Sequence, residues 1–204
     1  MSQSNHNVIV FDHPYTAKAC ENVRHHRSFS AALCKAITEK LKERGETIDL
    51  IDLHADAFDP VMSGEELALW RKSEPMNDQV KDYQERLSRA NRIIFIFPIW
   101  WELMPAMTKG FLDKVYAKNI LYTQQKGSFK MRTRLDPKTE IVVVTTMGTP
   151  KLLYKLAFSK PVIKAMQLGM CLKTGLKHFK WLPYSHVDEL TLKQRQTLLA
   201  SVSI

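Results

Sequence analysis

The chain has 204 residues, of which 45% are hydrophobic and 25% charged, and its net charge is +9. That length is enough for an α/β domain with a buried core, and the composition is ordinary for a soluble globular protein. No apolar run approaches the ~20 residues that span a bilayer, and "MSQSNHNVIVF" at the N-terminus lacks the features of a signal peptide. We therefore expect a cytoplasmic protein without stable membrane insertion.

The cysteines and the basic charge argue against disulfide-rich, metal-binding and nucleic-acid-binding proteins. Cys20, Cys34 and Cys171 are odd in number and widely spaced, which predicts neither a disulfide framework nor a metal site and fits a reducing compartment. The basic residues are spread along the chain, without a basic arm, a zinc finger or an RNP-like motif. Such a charge attracts phosphorylated ligands or keeps a protein soluble, and we expect no nucleic-acid partner.

The first half of the chain alternates between strand and helix. The run "NVIVF" predicts a strand at 7–11, and a polar loop with three histidines leads to a helix at 28–45. The apolar residues of this helix recur every four positions, Ser28 or Ser30 is a suitable N-cap, and Gly45 is suited to end it. The next predicted elements are a strand at 47–53 and helices at 63–73 and 77–91.

The second half continues the alternation. "RIIFIF" at 92–97 is apolar on both faces, which is typical of a central strand in a parallel sheet. A helix is predicted at 105–118, with proline tolerated at its start, and a long segment without a clear element follows at 119–139. The last predicted elements are a strand at 140–148, a helical stretch at 151–172 broken at Pro161, a strand at 176–184 and a helix at 191–202.

This alternation predicts a doubly wound α/β sheet within a single domain, 1–204. In such sheets a ligand binds beyond the carboxyl ends of the strands, near the point where the strand order reverses. The loops after the first, third and fourth strands are therefore the candidate site. These loops are 12–30, 98–103 and 145–154.

The first loop ends where a helix begins. Free N–H groups, the helix dipole and the hydroxyls of Ser28 and Ser30 would together bind an anion such as phosphate. The alternative is that Ser28 only caps the helix, and both roles are compatible. No GxGxxG or Walker sequence is present, which disfavours a Rossmann or P-loop site. His13 lies just past the strand, and its sequence position fits a ligand contact and a solvated side chain equally well.

The second loop contains the unusual pair Trp100 and Trp101. Backbone N–H groups and indoles at such a corner suit a planar ligand. The alternative is that the indoles belong to the core, and in an extended segment one could do so while the other lines a pocket. In the third loop, Thr146, Gly148 and Thr149 offer hydroxyls and open backbone, although small polar residues also form ordinary turns.

Together these motifs resemble the flavodoxin-like NAD(P)H:quinone oxidoreductase family. The clearest likeness is "FPIWWELMPAMTKGFLDKVY", and "HP…SFS" and "TTMG" match more loosely in the same order. The resemblance implies a flavodoxin-like three-layer sandwich with a parallel sheet of order 2-1-3-4-5. It also implies bound FMN, with FAD as the alternative, and a homodimer.

The resemblance assigns roles to particular residues. Tyr154 matches a family tyrosine at the flavin edge and is the candidate catalytic residue, while Trp101 and Tyr122 would wall the substrate pocket. The implied flavin-binding residues are His13, Ser28, Phe29 and Ser30 at the phosphate, Pro98, Ile99, Trp100 and Trp101 with their backbone N–H groups at the isoalloxazine ring, and Thr146, Met147, Gly148 and Thr149 at its pyrimidine edge.

Three features depart from the family pattern. The first loop is longer than usual, and Met147 stands where a glycine is common. Lys155 and Lys160 follow Tyr154, whereas better-studied quinone reductases have a histidine shortly after that tyrosine. The identity of the catalytic side chain therefore stays open at this point.

The implied reaction is a ping-pong transfer in which NAD(P)H reduces the flavin and a quinone, azo or nitro compound then takes two electrons in the same slot. One alternative is a flavodoxin-type electron carrier, although such carriers are usually acidic, unlike this chain of +9. A second is a regulatory ancillary flavoprotein of a potassium-efflux transporter. A third is a basic interaction domain without a cofactor.

Overall fold

The computed structural model describes residues 5–125 and 127–204. The strands are β1 (His6–Phe11), β2 (Thr47–Asp52), β3 (Arg92–Pro98), β4 (Tyr122–Gln124), β5 (Met131–Thr133), β6 (Glu140–Met147) and β7 (Phe179–Ser185). The helices are α1 (Phe29–Glu43), α2 (Gly64–Lys72), α3 (Asp78–Ser88), α4 (Ala106–Val115), α5 (Lys151–Leu156), α6 (Pro161–Lys164) and α7 (Leu192–Ser201). A 3-10 turn spans Ala17–Cys20, and a π-helix spans Ala165–Leu172.

Five parallel strands form the central sheet in the order β2-β1-β3-β6-β7. This order confirms the predicted 2-1-3-4-5 arrangement. Along β3 the side chains alternate between two cores, so that Ile93 and Phe95 face the α3 and α4 side, while Ile94 and Ile96 face the α1 and α7 side. Burial on both faces explains the uninterrupted apolar sequence of this strand.

The segment between α4 and β6 contains a hairpin that the sequence pattern did not predict. Its strands β4 and β5 are three residues each and pair antiparallel. Both are only partly buried, so their sequence lacks the apolar run that marks the strands of the central sheet. The break predicted at Pro161 is the start of α6, because proline is tolerated in a first helical turn.

The helix α4 is fixed at its N-terminus by Asp12, the residue that follows β1. The buried Asp12 carboxylate accepts hydrogen bonds from the Thr108 N–H (2.8 Å) and the Thr108 hydroxyl (2.6 Å). Its other oxygen lies 3.1 Å from His54 Nε2. A carboxylate at the start of a helix is stabilised by free N–H groups and by the helix dipole. Asp12 therefore fixes the start of α4 relative to the end of β1.

A second anchor lies further along α4. The buried Lys114 ammonium lies 2.7 Å from a Glu66 carboxylate oxygen and donates to the carbonyls of Asp59 (3.0 Å) and Val61 (3.2 Å). These bonds satisfy the charge that burial would otherwise penalise. They join α4 to α2 and to the segment before it.

Candidate active site

The three predicted loops meet at the carboxyl edge of the sheet. The Ser30 and Thr146 hydroxyls lie 2.9 Å apart, which joins the first loop to the third. The Ile99 N–H donates to the Thr146 carbonyl (2.8 Å), which joins the second loop to the third. The geometry therefore brings together residues that are widely separated in the sequence, as the positions of the strand ends predicted.

The first loop is held in place at the start of α1. Ser28 is the N-cap, since its hydroxyl accepts from the Ala31 N–H (3.2 Å), and its own N–H donates to the Ala19 carbonyl (2.9 Å). The first intrahelical bond runs from Ala32 to Ser28, so the N–H groups of Phe29 and Ser30 lie ahead of the helical ladder. Capping by Ser28 is confirmed, and the helix start keeps the donors that an anion would use.

His13 lies where β1 passes into this loop and is half-buried. Its Nδ1 accepts a hydrogen bond from the Tyr15 N–H (3.2 Å), so the ring proton lies on Nε2. Burial lowers the pKa of His13 below its ordinary value, although the nearby Asp12 carboxylate acts in the opposite direction. At neutral pH the imidazole is therefore uncharged and offers one N–H donor.

The tandem tryptophans lie in a tight turn formed by residues 100–103. The backbone of Trp100 exchanges two hydrogen bonds with that of Leu103 (3.0 and 2.9 Å). Trp101 and Glu102 have φ angles of 49° and 61°, the signs of a type I′ turn, whose central positions usually hold glycine, asparagine or aspartate. Holding larger residues there stores strain, which is commonly found at functional sites.

Both indoles are exposed to solvent. The exposed fraction is 46% for Trp100 and 96% for Trp101. The alternative that one indole belongs to the core is therefore wrong, because the chain turns at this point and is not extended. Pro98 and Ile99, by contrast, are buried at the end of β3.

The same turn limits which N–H groups can meet a ligand. Pro98 has no N–H, and those of Ile99 and Trp100 donate to Thr146 and Leu103 within the protein. The prediction that residues 98–101 border a ring edge stays a prediction, but the N–H groups of Pro98, Ile99 and Trp100 do not supply donors for it. Trp101 is the residue of this group whose N–H donates to no other described residue.

The third loop is tied to the turn through Glu102. The Thr149 hydroxyl donates to Glu102 Oε1 (2.6 Å), and the Tyr154 hydroxyl donates to the Glu102 carbonyl (3.3 Å). Met147 is buried, whereas Gly148 is exposed. Burial raises the pKa of Tyr154 to about 12, so its phenol stays protonated at neutral pH and serves as a hydrogen-bond donor.

Tyr122 lines a cavity on the far side of α4. Its ring stacks on that of Tyr116, with centroids 5.6 Å apart and an interplanar angle of 21°. The cavity has a volume of about 280 Å³, and its lining includes four methionines. These methionines are Met104, Met131, Met166 and Met170. Met104 follows the 100–103 turn directly, but Trp101, which was predicted to wall the same pocket as Tyr122, does not line this cavity.

Two residues of the site, Glu102 and Arg195, were not predicted from the sequence. Within residues 5–125 and 127–204, the buried side-chain atoms without a hydrogen-bond partner are Glu102 Oε2 and Arg195 Nε. Arg195, on α7, lines a groove of about 240 Å³ together with Ser28 and Phe29. No sequence pattern marks Arg195, because only the fold brings α7 beside the first loop. Glu102 could have been found from the sequence, because it is the lone carboxylate in the apolar run "FPIWWELM".

The sheet order and the position of these loops define an α/β protein of the flavodoxin type. Residues 6–196 match the protein family described as having a flavodoxin-like fold, and the chain belongs to that family.

Individual relatives of the chain are named as NAD(P)H oxidoreductases or quinone dehydrogenases. An NAD(P)H oxidoreductase of Escherichia coli described as uncharacterized, YcaK, is 28% identical over 59% of this chain and 57% of its own length. NAD(P)H dehydrogenase [quinone] 1 of Cavia porcellus is 27% identical over 60% of this chain and 50% of its own. The chain thus spans about half the length of the curated relatives it matches.

Among solved structures, the NAD(P)H:quinone oxidoreductase from Methanothermobacter marburgensis is 28% identical to this chain with a TM-score of 0.76. That similarity covers 97% of this chain and 95% of the other. The two structures are therefore similar over nearly their whole lengths.

Proposed function

We propose that the protein is a flavin-dependent NAD(P)H oxidoreductase that passes two electrons to a quinone-like acceptor by a ping-pong mechanism. The observation that carries the proposal is the meeting of the three loops, through Ser30, Ile99 and Thr146, at the carboxyl edge of the sheet. The similarity of the chain to NAD(P)H oxidoreductases supports it.

The donors at the start of α1 fit the phosphate of a flavin nucleotide. The N–H groups of Phe29 and Ser30 lie ahead of the helical ladder, and an anion is stabilised at such a position. Arg195 Nε is a buried donor without a partner among the described residues, and it lines the groove that also contains Ser28. A buried, unpaired donor of this kind is costly unless a ligand satisfies it.

A pair of serine variants tests the phosphate position. Ser28 caps α1 and Ser63 caps α2, each through its hydroxyl, so replacing either with alanine should destabilise the fold by about 1 kcal/mol. Only Ser28→Ala should also weaken the binding of FMN, measured by fluorescence quenching of the flavin. Equal FMN affinity in the two variants would argue against a phosphate at α1.

FMN is the proposed cofactor, with FAD as the alternative. The groove beside Ser28 continues between α1 and α7 along Ala32, Gln196 and Leu199. If FAD is the cofactor, its adenosine would extend into this groove. Mass analysis of the cofactor released from the purified protein decides between the two.

A bound flavin would supply the hydride chemistry, and the protein would supply binding and orientation. The exposed Trp101 indole offers an aromatic face on which a planar donor or acceptor can stack. The protonated Tyr154 hydroxyl holds the Glu102 carbonyl and so fixes the turn that carries this indole. The positive net charge of the chain favours phosphorylated co-substrates such as NADPH.

We also propose that the protein forms a homodimer. Large apolar side chains are exposed on the turn and on α5, where a second copy would cover them. These side chains are Trp101, Leu103, Leu152 and Leu156. Sedimentation equilibrium of the purified protein tests this proposal, and a monomer at micromolar concentration would contradict it.

A cytoplasmic location is likewise a proposal, favoured by the three free cysteines. Across residues 5–125 and 127–204, no helix has the length and apolarity that crossing a bilayer requires.

The direct test of the enzyme is a visible spectrum of the purified protein, followed by NAD(P)H oxidation with and without a water-soluble quinone. We expect a flavin spectrum and quinone-dependent turnover. A protein that binds flavin but oxidises no NAD(P)H would instead be an electron carrier, and one that takes up no added flavin would be neither.

A further inference from the structure

We propose that Glu102 Oε2 accepts a hydrogen bond from the N3–H of the flavin ring. The proposal rests on the proposed function, since it requires a flavin at this edge of the sheet. It assigns a binding role to a residue outside the set that the sequence predicted.

The Glu102 carboxylate is fixed by one of its two oxygens. Oε1 accepts from the Thr149 hydroxyl at 2.6 Å, and the backbone of Glu102 is held by the Tyr154 hydroxyl. Oε2 is buried and has no partner among the described residues. One oxygen is therefore satisfied by the protein, while the other keeps its full capacity to accept a hydrogen bond.

An acceptor in this situation requires an explanation. Leaving a buried polar group unsatisfied costs about 1–3 kcal/mol, and more when the group is charged. The backbone adds to the cost, because Glu102 and its neighbour Trp101 both have positive φ angles. Two independent unfavourable features at one residue, within the candidate site, indicate a group arranged for a ligand.

The chemistry of the flavin ring selects the donor. In the oxidised isoalloxazine ring, N3 carries a hydrogen, whereas N1, N5 and the two carbonyl oxygens can only accept. A carboxylate oxygen at the ring edge is therefore complementary to N3 and would repel every other heteroatom of the ring. Oε2 is covered by protein, so the proposal requires that the atoms covering it move aside when the ring binds, while Oε1 keeps its bond to Thr149.

A Glu102 carboxylate beside the flavin ring would change the midpoint potential of the flavin. A carboxylate beside the pyrimidine ring disfavours the additional electron density that reduction places there. Glu102 then lowers the midpoint potential of the bound flavin and makes the reduced flavin a stronger reductant. A purely structural residue would not change that potential.

The test combines a change in the ligand with a change in the protein. The dissociation constants of FMN and of N3-methyl FMN are measured for the wild type, for Glu102→Gln and for Glu65→Gln, a control at an exposed carboxylate on α2. A glutamine keeps the size of the side chain but carries no charge, so a hydrogen bond that it accepts from the ring is weaker than one accepted by a carboxylate. The midpoint potential of FMN is measured for the same three proteins.

We expect the wild type and Glu65→Gln to bind N3-methyl FMN about tenfold or more weakly than FMN, as loss of a hydrogen bond to a charged acceptor predicts. In Glu102→Gln this preference should shrink by about tenfold, and the midpoint potential should rise. Equal affinity of the wild type for the two flavins would overturn the inference without any variant, so the test can still fail where Glu102→Gln does not fold.

Three results would overturn the inference. The first is equal affinity of the wild type for the two flavins, which is the result expected when Oε2 bonds a ribityl hydroxyl or a water molecule. The second is a preference for FMN that Glu102→Gln leaves unchanged. The third is failure of the wild type to bind either flavin, which would overturn the proposed function as well and is thereby distinguished from the other two.

Discussion

Ser30 and Thr146 are 116 positions apart in the sequence, yet their hydroxyls are within 2.9 Å of each other in the interior of the candidate site. The first residue lies in the opening turn of α1, and the second lies near the end of β6. Because β1 and β6 both flank β3, this bond spans the middle of the sheet edge. It joins the predicted phosphate loop to the loop predicted at the pyrimidine edge.

The losses from removing these two hydroxyls should not be additive. Thr146→Val leaves the buried Ser30 hydroxyl without its partner and should destabilise the protein by about 1–3 kcal/mol. The double variant Ser30→Ala with Thr146→Val removes both polar groups, and its loss should be smaller than the sum of the two single losses. Urea denaturation of the three variants measures these differences, and simple additivity would show that the hydroxyls do not interact.

A large part of the fold could be predicted because burial leaves a direct record in the sequence. The strand "RIIFIF" is apolar on both faces since it lies between two cores, and the predicted order of the sheet was confirmed. The meeting of the loops also followed, because parallel strands end at one edge. The hairpin of β4 and β5 did not follow, because its short, half-exposed strands carry no apolar run.

Within the site, the missing information was three-dimensional. The positive φ angles of Trp101 and Glu102 contradict the preference of such residues for extended or helical backbone, so no local rule predicts that turn. In the sequence, Arg195 is an ordinary residue of an exposed helix. Only the packing of α7 beside the start of α1 places it near the first loop. Asp12 was assigned no role because Thr108, its partner, lies 96 positions away.

The buried pair of Lys114 and Glu66 should contribute strongly to stability. Lys114→Met leaves the Glu66 carboxylate without its cation and should reduce the free energy of unfolding by about 3 kcal/mol. The double variant with Glu66→Gln should recover much of this loss, since no charge is then left unpaired and glutamine keeps the capping role that Glu66 plays at Ser63. Denaturant unfolding provides the values.

The control for this pair lies on the same helix. Lys109 pairs with Asp113 at an exposed position, 2.6 Å away, and exposed pairs contribute about 0–1 kcal/mol. Lys109→Met should therefore change the free energy of unfolding little. Similar losses for Lys109→Met and Lys114→Met would contradict the view that burial determines the contribution.

The half-buried His13 should make stability depend on pH. Because burial lowers its pKa in the folded state, the unfolded chain binds the proton more readily, and stability falls as the pH drops below the ordinary histidine value of about 6.5. His13→Gln removes this contribution, so the variant should lose less stability than the wild type between pH 7 and pH 5. Urea titrations at both pH values measure it, and parallel losses would show that His13 does not contribute.

Replacing Trp101 with alanine should impair function without affecting the fold. Its indole is 96% exposed, so little apolar contact is lost and the free energy of unfolding should change by less than about 0.5 kcal/mol. Flavin retention or the turnover of a quinone acceptor should fall, because an aromatic face is lost from the site. Phe129→Ala is the matched control, since Phe129 is 94% exposed but follows β4 in the hairpin, outside the three loops. Unchanged flavin content and kinetics in Trp101→Ala, or equal losses in Phe129→Ala, would show that the Trp101 indole is not part of the site.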